Sequence, residues 1–545
     1  MFVTIGAPPA AAVADPVIGS ASVYGVLPDG RLTYTVIDAA TGNRTHTVTS
    51  TASLGSIVAM ATLDFNTLLV TSPGGVLYRV DIQTNSSSLS WAPPVSLGGG
   101  WVHQQLAYDG TGNLFGIYNG TLRRYYIGNT EPGHPTASDI TGNTLIDSGF
   151  TLTTLTTVGP NWILGLTSAG VLRSYRIFGA NSWSGYTLDD RFCCFTHLIS
   201  PGGGVYYGRT SAGAIYRYVD NDPFDGSGAD IQSFSSDPVD LSGWTQTRLS
   251  AWPLTVAQIP PRTVNLAKPM YFIHGYALGS GGFDCNPTWG PAKTAFNSSS
   301  GPGFATGPLL TVAFYEGDYN CDVRLPDDSV NLYGSVSDEG THNESIKELG
   351  REFAWEVYNR YSRVGQGVEV VGWSMGGLIA RAALTGTQRN LSGWPPYIFV
   401  EDVVTLATPH GGTFLACGLT RQCNEMEPSS PTLDWMNDNP QSDVLGTDWT
   451  LLGSSDDDLI SPNSAFNMCC VGHKVHYPGG QPDGNGVEHY NIHQRTSGTF
   501  HIEYCDYFAG CDMEDSVLPY DTWTDSTGDW SPITMTKYAL RSSTF

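Results

Sequence analysis

The sequence predicts a multidomain protein, an all-β five-bladed propeller followed by an α/β domain whose mostly parallel sheet is flanked by helices. Three observations predict it. A strand–turn–strand unit with a turn glycine recurs five times in the first half. Beyond Pro260-Pro261, short apolar runs alternate with helical patterns. Within that second half, a β-branched run passes through small residues around Ser374 directly into a helix.

At 545 residues the chain is longer than one hydrophobic core usually serves, which makes two domains the expectation. The boundaries read as a signal-peptide remnant at 1–14, the propeller at 15–255, a linker at 256–262 and the α/β domain at 263–545. A formal charge of -25 argues against partners that need basic patches, namely nucleic acid and anionic membrane surfaces. No stretch reaches the ~20 apolar residues that cross a bilayer. Ala12-Val13-Ala14 before Asp15 resembles an export cleavage site, although the charged start and apolar centre of a full signal are missing.

The ten cysteines form no C-x-x-C pair of the metal or redox type. Cys417 with Cys423 and Cys505 with Cys511 have the spacing of local disulfides, and Cys285 with Cys321 that of a longer staple. Cys193-Cys194 and Cys469-Cys470 are adjacent pairs with no assigned partners. Disulfides and acidic charge together point to a secreted, extracellular protein.

The repeat runs through Gly30, Gly75, Gly120, Gly170 and Gly213, each followed by a strand carrying Leu or Ile and usually Tyr or Arg. Its period of 43 to 50 residues is the length of a four-stranded blade. A second unit alternates with it, a Gly-rich turn and a large residue with Leu five positions on: Trp101 with Leu106, Trp244 with Leu249 and, more weakly, Phe150 with Leu155. The segment opens on the first unit and closes on the second, so its two ends should pair to seal the ring and remove open edges. With these units, the segment resembles tachylectin-2-type five-bladed propellers. That resemblance implies carbohydrate sites between blades, N-acetylamino sugars being the ligands; alternatively Trp101, Trp244 and the repeated tyrosines only pack blade on blade.

The linker prolines deny ladder donors and favour extended chain. Beyond them, Thr341 and Glu344 fit a capping box for a helix whose core face is Ile346, Leu349, Phe353, Val357 and Tyr361. Val368-Glu369-Val370-Val371-Gly372 reads as a buried strand, and Leu378 to Leu384 as a helix. Gly372 and Gly376 let strand and helix approach closely enough to thrust the Ser374 hydroxyl outward, the geometry of a nucleophile. Such a nucleophile needs fixed N–H donors for the oxyanion it creates. Met375, next in sequence, supplies one; Tyr276, after the strand ending in His274-Gly275, supplies the other. His274 itself reads as a brace for that loop.

His274-Gly275-Tyr276, Trp373-Ser374-Met375-Gly376-Gly377 and Thr408-Pro409-His410-Gly411-Gly412 together resemble bacterial lipases and esterases of the α/β-hydrolase family. The resemblance implies that fold, ester hydrolysis on a lipid or acylated polymer, and no cofactor. It departs at Trp373, where lipases commonly carry His, and a bulky indole there would narrow or floor the acyl site. The family order Ser, Asp, His places the acid in Asp456-Asp457-Asp458, where the D-x-hydrophobic-hydrophobic pattern selects Asp457, with Asp458 as alternative and Asp456 third. The run could also be a solvated loop or a calcium site. Five histidines follow: His473, His476, His489, His493 and His501. Gly486-Val487-Glu488-His489 resembles the turn that presents the base in small lipases, so His489 is chosen. His493 is the alternative, placed on one helical face with His489, an arrangement that could instead bind zinc although no H-E-x-x-H surrounds it. Residues 413–450 are expected to include a cap. Rival readings are an esterase of polysaccharide acyl groups or polyesters, and a lectin with an inert hydrolase half.

Overall fold

The computed structural model describes residues 17–540 except 65, 129–133, 190, 261–266, 279–280, 299–304, 306, 326–330, 415–419, 443–444, 469–470, 472, 507–520 and 525–529. Residues 1–14 and Cys417, Cys469, Cys470 and Cys511 therefore lie outside the described residues, as does the side chain of Cys505. The chain divides into two compact units, Met1–Ile259 and Pro260–Phe545.

The first unit is five antiparallel sheets of at least four strands, the five blades of a propeller. In four blades the strands follow chain order, as in Gln105–Tyr108, Asn113–Tyr118, Thr121–Ile127 and Ile140–Ser148. The exception closes the ring. Arg248–Ala251, near the end of the unit, pairs with Val23 to Val26 at its start, in one sheet with Arg31–Asp38 and Arg44–Ser53. The five repeat glycines all sit at positive φ, 73° to 83°, which L side chains avoid and a tight hairpin turn demands.

The alternating unit packs on the first. The N–H of Trp101 donates to the Gly75 carbonyl, Phe150 to Gly120 and Trp244 to Gly213, at 2.9–3.1 Å. All three aromatic residues are buried, and Trp244 Nε1 is used up by Asp240 at 2.7 Å. One boundary is corrected. Val256–Gln258, read as linker, is a strand on Val17–Gly19, because Val256 and Ala257 are apolar enough to be buried there and the prolines begin only at Pro260.

The second unit is a nine-stranded sheet. Its order is Val323–Arg324, Leu309–Ala313, Met270–Ile273, Val368–Trp373, Val400–Leu406, Asp448–Ser454, His473–Tyr477, His501–Asp506 and Asp521–Thr524. The first seven run parallel and the last two antiparallel. His473–Tyr477 is followed by two more strands, whose mixed polar sequences give no clean alternation. The helices Cys285–Phe296 and Pro532–Ala539 cover one face, where Trp289, Phe296, Ile533 and Met535 join Phe272, Val371, Val404 and Val475 in a single core.

The helix Ile346–Arg360 packs on Met375–Gln388, Gly350 permitting the close approach: a Cβ there would lie 2.6 Å from Ala382 Cβ. Its cap is Ser345, whose hydroxyl accepts from Lys347 N–H, and not Thr341. Thr341 closes a preceding turn on Asp338, and Glu344 accepts from Gly340 N–H, so neither is free to cap. The chain runs outward from Met270–Ile273 to Leu309–Ala313 and Val323–Arg324, then returns to lay Val368–Trp373 on the other side. The carboxyl ends of Met270–Ile273 and Val368–Trp373 flank that switch point, where open α/β sheets bind ligands.

Candidate active site

Ser374 follows the fully buried strand Val368–Trp373 and precedes the helix Met375–Gln388, with φ 55° and ψ -127°. Such a backbone costs on the order of 1–3 kcal/mol and persists only where its surroundings fix it. Here Ser374 N–H donates to the Leu406 carbonyl, and the Thr408 hydroxyl donates to the Ser374 carbonyl, both at 2.9 Å. The glycines are required by space. A Cβ on Gly372 would stand 2.6 Å from Gly377, and one on Gly376 would stand 2.2 Å from the Ile273 carbonyl oxygen. Gly377 is equally constrained, since a Cβ there would stand 2.1 Å from Thr408 Oγ1.

Three of the selected side chains meet in one line. His489 Nε2 lies 3.0 Å from Ser374 Oγ, and His489 Nδ1 lies 2.9 Å from Asp457 Oδ2. The other Asp457 oxygen accepts the N–H groups of Leu459 and Ile460 at 2.9 and 2.8 Å. All three residues are buried. Of the acidic run only Asp457 touches the imidazole; Asp458 is exposed and Asp456 turns toward Gly479 and Gly486. A serine hydrogen-bonded to an imidazole that a carboxylate orients can be deprotonated as it attacks an electrophilic carbonyl.

The loop after Met270–Ile273 is gripped from behind. His274 is fully buried, with Nε2 2.9 Å from Asp318 Oδ2 and Nδ1 3.0 Å from the Gly275 carbonyl oxygen. Asp318 also accepts from the N–H groups of Phe283, Phe314 and Tyr315. Burial pushes its carboxyl up, but the His274 hydrogen bond and these donors outweigh it and hold the group below the usual carboxylate range. Gly275 lies directly against Ser374, a Cβ there falling 2.7 Å from Ser374 Cβ. Among the described residues, no protein acceptor takes the N–H of Tyr276 or Met375. The Tyr276 hydroxyl meets Thr420 at 3.0 Å, so the segment 420–425 lies on this loop.

Two expectations change. Trp373 does not floor an acyl site. It is buried in the sheet core, its Nε1 donates to the His489 carbonyl oxygen at 2.8 Å, and its ring stacks on His493 at 3.9 Å. Strand alternation turns residue 373 to the sheet face that packs against the helices Cys285–Phe296 and Pro532–Ala539. His493 does not reach Ser374, and the segment 489–494 that carries it and His489 forms turns and no regular helix. It lies between Trp373 and Trp289, where burial first, then the neighbouring His489 and His274, depress it to about 3. Both ring nitrogens of His489 are engaged, so the zinc alternative for this pair has no ligand atom on His489. His473 and His476 lie along their strand. Asp318 and the Trp373 hydrogen bond carried no signal in sequence; Thr408 stood in the Thr408-Pro409-His410-Gly411-Gly412 motif, but its bond to the Ser374 carbonyl did not show there.

Parallel sheet, switch point and strained serine turn are those of an α/β-hydrolase. Residues 311–427, well under half of the chain, match the family model described as "Putative serine esterase (DUF676)". The match spans Ser374 and Thr408 but not Asp457 or His489. No curated protein matches the sequence. Among solved structures, lipase B of Aspergillus fumigatus is similar at 15% identity, over 43% of this chain and 52% of that one, with a TM-score of 0.26. Lipase BlEst2 of Bacillus licheniformis in propeptide form is similar at 16% identity, over 43% and 48%, with a TM-score of 0.25. The chain thus spans about half the length of these proteins. Fold and family match support a serine ester hydrolase.

Proposed function

We propose that this protein is a secreted, lipase-like carboxylic-ester hydrolase that works through an acyl-enzyme and is carried to glycan-bearing surfaces by its propeller. The observation that carries the catalytic part is the Asp457–His489–Ser374 hydrogen-bonded line at a strained strand-to-helix turn. His489 takes the Ser374 proton as Oγ attacks the ester carbonyl. The N–H groups of Met375 and Tyr276 receive the oxyanion, and Asp457 holds the imidazole and stabilises its charged form. His489 then protonates the leaving alcohol, and water, activated by the same base, releases the acid.

The Cys285–Cys321 disulfide and the formal charge of -25 support export. No helix among the described residues is long and apolar enough to cross a membrane. Trp373, withdrawn from the substrate side, no longer argues against long acyl chains. A p-nitrophenyl ester series of increasing chain length, run on wild type and Ser374→Ala, tests the reading. Turnover lost with the hydroxyl supports it, and activity untouched by the substitution overturns the nucleophile. No turnover of any ester by wild type would favour a lectin with an inert hydrolase unit. The full-length Ser374→Ala protein on a glycan array that includes N-acetylamino sugars tests the targeting role, and binding to none reduces the propeller to a scaffold.

A further inference from the structure

Cys193 and Cys194 are the only cysteines of the first unit, so within it each has the other as its sole possible partner. They occupy a particular place in the repeat. Leu198 follows Cys193 at the spacing by which Leu106, Leu155 and Leu249 follow Trp101, Phe150 and Trp244. The turn glycine of that blade lies on it as well: a Cβ on Gly170 would fall 2.5 Å from Cys193 Cα and 2.8 Å from its N. Cys193 thus stands where three other joins carry a buried aromatic ring, yet both cysteines are exposed.

The backbone differs at this join in a telling way. Before Trp101, Phe150 and Trp244 the positive φ is taken by Gly100, Gly149 and Gly243. Here it falls on Cys194, at 83°, a conformation that L side chains rarely adopt. The strain brings the two sulfurs to 3.0 Å, with the Cys194 thiol donating to Cys193 Sγ. That contact and the adjacent sulfur charge hold the Cys194 thiol above its usual range.

We propose that Cys193-Cys194 is a redox-responsive modification site, a vicinal pair that closes to an eight-membered disulfide ring in the presence of a low-molecular-weight disulfide and reopens with the corresponding thiol. Cys193 thiolate attacks one sulfur of the small disulfide, forming a mixed disulfide and expelling one thiolate. Cys194, losing its proton, then attacks Cys193 Sγ, forms the ring bond and expels the second. The pair gives up two electrons and two protons, and the small disulfide becomes two thiols. Neighbouring Cα atoms stand ~3.8 Å apart, short of the ~4.4–6.8 Å that unstrained disulfides span, so the ring is easily reduced. Cys285–Cys321, with a buried Cys285, is the built-in reference.

The test equilibrates the full-length protein in glutathione buffers of graded composition, traps free thiols with iodoacetamide, and maps tryptic peptides by mass. Cleavage after Arg191 and Arg209 isolates both cysteines from all others. The expected result is an oxidising limit in which the peptide 192–209 is lighter by two hydrogens and carries no label. It should take two labels in a buffer that still leaves Cys285–Cys321 closed. Cys194→Ser should stop at a single glutathione adduct on Cys193. Two glutathione adducts, two labels in every buffer, or a ring that opens only together with Cys285–Cys321 would each overturn the proposal.

Discussion

The Trp373 indole N–H is bonded to the His489 carbonyl oxygen, so the residue beside Ser374 also holds the turn that carries His489. Sequence separates the two by 116 positions, and the strand end joins them. Trp373→Phe keeps an aromatic ring against His493 but leaves that buried carbonyl without its donor. The expected outcome is a stability loss of about 1–3 kcal/mol in urea unfolding. Displacement of His489 should lower kcat roughly tenfold with KM nearly unchanged. A KM effect with intact kcat would return the indole to the substrate pocket.

The acid can be assigned by contrast. Asp457→Asn should cost on the order of 10⁴ in kcat, because the amide favours the wrong imidazole tautomer. Asp458→Asn, at an exposed neighbour, should leave turnover within about twofold of wild type, as surface substitutions generally do. Equal losses from both would mean that the run acts as a collective charge and not through one carboxylate. Both kcat values come from the same short-chain ester assay.

Asp220 offers a pH test of the propeller. It is fully buried and accepts the Tyr206 hydroxyl at 2.7 Å; burial first, then the charges of Asp230 and Asp225, push its carboxyl up to about 7. Between the unfolded value of 3.8 and about 7 the native state holds more proton than the unfolded chain, so this group's contribution falls as pH rises through that window. Asp220→Asn is neutral throughout. Its stability in urea unfolding should match wild type near pH 4 and exceed it at pH 8, by a margin on the order of 4 kcal/mol. A difference that stays constant with pH would place the carboxyl's titration elsewhere.

The Cys285–Cys321 bond should serve catalysis as well as stability. It ties the start of the helix Cys285–Phe296 to the segment that holds Asp318, alongside paired backbone bonds between Cys285 and Tyr319 and between Tyr319 and Phe283. Replacing both cysteines with serine should lower stability by about 3–4 kcal/mol, the loop-closure value for a separation of this size. Activity below the unfolding transition should also fall, since Asp318 steadies His274 and the loop after it. An unchanged kcat would show that the hydrogen bonds alone hold that loop.

Legibility followed range. The five hairpin glycines, the closing of the ring by its own ends and the Ser374 turn were readable because each rests on a local need: positive φ, a strand period, or space for two backbones. The cap of Ile346–Arg360 was misread because Thr341 and Ser345 both offer plausible local chemistry, and only the preceding turn decides between them. The two antiparallel edge strands lacked a pattern of their own and gain their place from His473–Tyr477.

Sequence alone determined the two architectures and the position of the Ser374 turn, since glycine spacing and a β-branched run constrain the backbone within a few residues. Selecting one acid from three and one base from five needed resemblance as well as pattern. What only the tertiary structure decided is contact across distance. Ser374 and His489 lie 115 positions apart, and His489 and Asp457 lie 32 apart. Their meeting depends on how parallel strands align their carboxyl ends. The same alignment sends the Trp373 side chain into the sheet core and its indole N–H to the His489 carbonyl, while the hydroxyl next to it meets the His489 ring. No local period records that division.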